Sequence, residues 1–65
     1  MKWVLMPDGD WIAKGEKGHF LLWKERIGWK GLYMVEGSRE VKFRWWNRYI
    51  KDLKKRCENS EYWEE

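Results

Sequence analysis

Apolar and polar positions along the chain fall into two regimes. Up to about residue 43, short apolar runs alternate with turn signals: WVLM, DWIA, HFLLWKE, LYMV and VKF, separated by clusters of Gly, Pro, Asp and Ser. Runs this short, rich in β-branched and aromatic residues, suit strands better than helices. Pro7-Asp8-Gly9-Asp10 is a strong turn, because proline presets φ and glycine accepts positive φ. Lys14–Gly18 is a second, looser break, the glycines around Trp29-Lys30 make a third, and Glu36-Gly37-Ser38-Arg39 a fourth. Leu32–Val35, the EGSR turn and Val41–Phe43 therefore predict a hairpin, with HFLLWKE beside it, since sequential strands usually neighbour one another.

The period then changes. Trp46, Ile50, Leu53 and Cys57 are spaced 4, 3 and 4 apart, with Tyr49 beside them, which is one face of an α-helix. This predicts a helix from near Trp45 to Asn59-Ser60, with Trp46, Tyr49, Ile50 and Leu53 in the core. An alternative start lies near residue 39, with Ser38 as N-cap, because Phe43 extends the spacing backwards; the alternation in EVKF favours the later start. The expected fold class is α+β: a small antiparallel β-sheet of three to five short strands packed against one C-terminal α-helix. Residues 1–57 form the domain and 58–65 an acidic, flexible tail.

Composition sharpens this picture at one point. A 65-residue chain buries only about 60% of the surface its unfolded form exposes. Seven tryptophans, three tyrosines and two phenylalanines exceed what such a core can enclose, at roughly 150–250 Å² each. Some aromatics must therefore stay at least half exposed, where tryptophan is enriched at binding hot spots. The single cysteine, Cys57, excludes an internal disulfide and suits a reducing, cytoplasmic compartment. No apolar run exceeds four residues, far short of the roughly 20 a membrane helix needs, so no membrane partner is expected.

The net charge of +3 is unevenly spread. Residues 46–57 carry Arg48, Lys51, Lys54, Lys55 and Arg56 against Asp52 alone, while 58–65 carry four glutamates and no cation. Read as helix, Arg44, Arg48, Lys51 and Lys55 follow a 4, 3, 4 spacing and form a basic stripe beside the apolar one. Cations in a helix's last turns also suit its dipole.

Catalysis finds no support in the residues. No glycine stretch has a phosphate loop's context. His19 and Cys57 have no third group to orient them and are too few for a zinc site. Asp8 and Asp10 read as turn residues. No catalytic residue, metal or cofactor is expected.

Binding remains. Cations neutralise phosphates while exposed aromatics stack on bases. The candidate nucleic-acid contacts are Lys24, Arg26, Trp29 and Lys30 on the sheet, and Arg44, Arg48, Lys51 and Lys55 on the helix. WKGLY, EGSR, VKF and WWNRYIKDLKKRC together resemble the three-stranded-sheet-plus-helix DNA-binding domains of phage integrase arm regions and AP2-type factors. The resemblance covers Trp23 to Cys57, about half of the chain, and implies DNA before RNA as ligand. The chain departs from that pattern where Leu32, Met34 and Val35 stand in place of basic sheet residues. The alternative is a small inhibitor or adaptor of the kind phages encode. It would dock on a host protein through Trp45, Tyr62 and Trp63, with the acidic tail mimicking phosphate. A homodimer closed by exposed aromatics is a third possibility, since a domain this small often gains stability by association.

Overall fold

The computed structural model describes all 65 residues. Five strands in sequence order make one antiparallel sheet: β1 (Val4–Leu5), β2 (Trp11–Lys14), β3 (Gly18–Glu25), β4 (Gly28–Val35) and β5 (Val41–Asn47). A single helix, α1 (Ile50–Glu58), follows and packs across β4 and β5. The α+β class expected from the two hydrophobic periods is the architecture found.

Local chemistry accounts for the turns. Gly9 adopts φ 94°, and the Asp8 carboxylate accepts the Asp10 N–H at 3.0 Å, closing the predicted Pro7–Asp10 turn. Gly37 adopts φ 74° and the Ser38 hydroxyl accepts the Glu40 N–H at 3.0 Å. Ser38 thus caps a hairpin turn and not a helix. The glycines around Trp29-Lys30 behave differently from the expectation: they lie inside β4, and the reversal occurs at Arg26-Ile27, between the paired Glu25 and Gly28. Gly31 is required by packing, since a Cβ there would lie 2.6 Å from Leu22 Cδ2 and 3.5 Å from Leu53 Cδ2. The absent side chain leaves room for Leu22 beneath Leu53 of the helix.

Residues directly opposite in an antiparallel pair share a face, so the register divides the sheet. Ala13, Phe20 and Tyr33 form one row, continued by Phe43; Trp11, Leu22, Gly31 and Trp45 form the next. These rows face the helix and meet its buried Leu53 and Cys57. Phe20, Leu22, Leu53 and Cys57 are wholly enclosed. The opposite rows, Val4, Ile12, Leu21, Leu32 and Arg44, then Trp23, Lys30 and Trp46, face away and have no covering element.

The expected start of the helix and the core residues assigned with it need correction. The helix begins at Ile50, not near Trp45, because β5 continues through Trp46 to Asn47, held by pairing with β4 from Met34 back to Trp29. A strand's period of two replaces the helical period there. Trp46 and Tyr49, expected in the core, are 49% and 61% exposed. Residues 59–65 lie against the body of the domain. Trp63 sits 5.5 Å from Trp3 and 6.0 Å from Phe20, ring centre to ring centre. Tyr62 lies 4.6 Å from Tyr33 and 4.3 Å from Phe43. The Glu64 carboxylate accepts the N–H groups of Glu16 (2.6 Å) and Lys17 (3.0 Å).

Candidate nucleic-acid interface

One end of the sheet gathers the β3–β4 reversal, the end of β5 and the first turn of α1. Asn47 makes the junction: its side-chain carbonyl accepts the Tyr49 N–H at 3.0 Å, a local turn of the kind Asn favours. It swings the chain out of the sheet, leaving Arg48 and Tyr49 exposed, before the helix starts at Ile50. The result is an open cleft of about 820 Å³ lined by Lys24, Arg26, Ile27, Gly28, Trp29, Trp46, Arg48, Tyr49, Ile50 and Lys51.

Four of these ten are cations and none is a carboxylate. The molecule's two ion pairs are Lys30–Glu25 and Lys42–Glu40, so Lys24, Arg26, Arg48 and Lys51 have no anionic partner. Like charges held together without counter-charge raise the local potential and attract an anion from solution. Aromatic surface accompanies the charge. Trp46 and Tyr49 are exposed, and the Lys24 ammonium lies 5.2 Å from the centre of the half-buried Trp29 ring. Ile27, at the tip of the reversal, is 75% exposed.

Of the eight residues read as nucleic-acid contacts, five converge here: Lys24, Arg26, Trp29, Arg48 and Lys51. Lys30 and Arg44 do not. They border a separate depression on the uncovered sheet face with Trp23, Gly31, Leu32, Trp45 and Trp46. Lys30 there is 3.6 Å from the Glu25 carboxylate, which also accepts the Trp23 indole N–H at 3.1 Å. Lys55 stands in the last turn of α1 beside Arg56, outside both depressions. The expected helical stripe of Arg44, Arg48, Lys51 and Lys55 therefore does not exist as such. Arg44 belongs to a strand and Arg48 to a bend, so helical spacing does not relate them.

Trp46, Tyr49 and Ile27 were missed as site residues. The first two were assigned to a helical core face. The signal that could have found Trp46 is the alternation KFRWW, which places Phe43 and Trp45 on one face and Lys42, Arg44 and Trp46 on the other. Tyr49 and Ile27 had no local signal, since their exposure follows from where two turns end.

The residues read as anchors for a host protein are placed otherwise. Trp45 stacks on Phe43 at 4.6 Å and on Phe20 at 6.0 Å. Together with Tyr62 and Trp63 it packs partly buried against the core. These three do not form a protruding aromatic patch. Cys57 is enclosed beneath the helix, and burial pushes its thiol up to about 12. His19 pairs with Met34 on the opposite sheet face, so the sheet separates the two. No group of three or more His, Cys, Asp or Glu is placed to hold a metal ion. No helix is long and apolar enough to cross a membrane. No protein-family model matches the chain, and no curated protein or solved structure shows significant similarity to it.

Proposed function

We propose that this protein is a non-enzymatic nucleic-acid-binding protein that engages its ligand, DNA in the first instance, at the cationic cleft. The observation that carries the reading is the juxtaposition of four unpaired cations with two exposed aromatic rings and no lining carboxylate. Each half of that pairing has a task. Cations displace condensed counterions from phosphates and supply affinity without sequence preference. Aromatic faces stack on unpaired bases, an interaction worth about 1–3 kcal/mol per base. At this site Trp46 and Tyr49 would take the bases while the cations beside them hold the phosphates.

The test is a titration of tryptophan emission with short DNA and RNA oligonucleotides at two salt concentrations. Nucleic acid should quench the emission, and affinity should fall steeply as salt rises. Replacing Arg48 and Lys51 together by Gln should weaken binding strongly and flatten its salt dependence while leaving the far-ultraviolet circular dichroism unchanged, because both are exposed. Absence of binding at low salt refutes the reading.

A further inference from the structure

Resting on that reading, we infer that the ligand is a single strand, which leaves the cleft, turns over Trp46 and continues across the uncovered face of the sheet toward Arg44. The argument begins with the two faces of one sheet end. Lys24 and Trp29 are paired neighbours on the helix side. Trp23, Lys30 and Trp46 form one cross-strand row on the opposite side. The cleft thus holds groups from both faces, and its wall Trp46 is also a wall of the second depression, where Arg44 stands. Trp46 is the shared boundary of the two and is half exposed.

A ligand that uses both depressions has to change direction around the sheet end within a molecule whose longest extent is 30 Å. Duplex DNA keeps its direction over roughly 150 base pairs and resists bending on that scale. A single strand turns freely at each nucleotide and offers unpaired bases to Trp46 and Trp23. The charges suit such a path. Arg44 has no ion-pair partner, so it can take a phosphate beyond the turn. Lys30 is held by Glu25 and contributes less. Beyond Arg44 the face turns aliphatic at Leu32, Leu21 and Ile12, and the next unpaired cations, Lys2 and Lys14, stand at its far edge in a separate depression, so Arg44 is the first phosphate contact after the turn.

Fluorescence anisotropy with the full chain decides the matter. The probes are labelled oligothymidylates of about 4 and about 12 nucleotides, spanning the site sizes single-strand-binding domains use, and a duplex as long as the longer one. An oligouridylate of the longer length compares RNA with DNA as source of the strand. The longer single strand should bind about tenfold tighter than either the duplex or the shorter oligomer, an effect the size of one stacked base. Arg44→Gln should weaken the longer oligomer several-fold without affecting the shorter one. Trp23→Ala should do likewise, its fold checked by circular dichroism, and the exposed Arg44 keeps the test valid if that variant is unstable. Duplex binding as tight as single-strand binding, or an unchanged affinity in Arg44→Gln, overturns the inference but leaves the cleft as a nucleic-acid site. Failure of every oligonucleotide to bind at low salt overturns both.

Discussion

Trp45 and Trp46 are chain neighbours that stand on opposite faces of the sheet. Trp45 stacks on Phe43 under the helix side at 4.6 Å, whereas Trp46 lies across from Lys30 on the uncovered side, 49% exposed. The same side chain, one position apart, therefore serves the core in one case and solvent in the other. Trp45→Ala should cost about 3 kcal/mol in urea denaturation, the usual scale for removing a packed aromatic ring. Trp46→Ala should cost about 0.5 kcal/mol, as surface substitutions do, while weakening oligonucleotide binding. A larger loss at Trp46 than at Trp45 would instead place Trp46 in the core, as a helical segment would.

The contact between Gly31 and Leu22 makes a second prediction. Leu22 is wholly buried. A Cβ at Gly31, 2.6 Å from Leu22 Cδ2, would push either the leucine or the helix. Gly31→Ala should destabilise by about 2 kcal/mol, the typical cost of overpacking, read as a shift in denaturation midpoint. A neutral effect would show that the Leu22 side chain shifts to make room.

The C-terminal residues behave as part of the domain. Trp63→Ala removes a ring seated between Trp3 and Phe20 and should cost about 3 kcal/mol. Glu64→Gln keeps the side-chain shape but removes the charge that accepts two backbone N–H groups, for a loss of about 1 kcal/mol. Unchanged melting in both variants would describe a detached tail.

Salt dependence counts the phosphates held. For single strands, log affinity falls with log salt at about 0.7 per neutralised phosphate. Four unpaired cations in the cleft therefore predict a slope of about −3. Arg48→Gln and Lys51→Gln should each reduce its magnitude by about 0.7, whereas Lys55→Gln, outside the cleft, should reduce it less. A slope that Lys55→Gln alters as much as Arg48→Gln would move the site along the helix.

Cys57 reports on opening of the core. Its thiol is pushed up to about 12 by burial, so the native protein carries no thiolate at neutral pH, and the thiolate is the reactive form. Alkylation at pH 8 should be slow and should accelerate on adding urea in step with unfolding. The ordinary thiol ionises near 9.0. Above that pH the unfolded chain loses a proton that the folded chain keeps, so this group's contribution to stability is complete below pH 9.0 and declines toward about 12. Tyr33, also raised chiefly by burial, acts in the same direction. Lys54, lowered by burial, acts in the opposite one.

Short-range chemistry was legible from the residues alone. Positive φ at Gly9 and Gly37, and the side-chain turns at Asp8 and Ser38, are local events, so the breaks at those points needed no tertiary information. The four-residue step from Leu53 to Cys57 likewise defines a helical face wherever the helix sits, and both residues are enclosed. Glycine by itself proved ambiguous. Gly28 and Gly31 read as a turn, yet they serve close packing inside β4.

What the residues could not decide was which side of each strand would be covered. HFLLWKE is apolar on both faces, Phe20 and Leu22 on one, Leu21 and Trp23 on the other, and a strand's period of two favours neither. The helix settled it by packing on the side where Gly31 leaves room. The same packing ended the helical reading at Ile50, because pairing Lys30 with Trp46 and Trp29 with Asn47 satisfied backbone groups that a longer helix would otherwise have used. The turns at Gly9 and Gly37 and the Leu53–Cys57 face of the helix are thus properties of neighbouring residues, whereas the reversal at Arg26-Ile27, the start of the helix and the cleft exist only because distant segments pair and end at the same place.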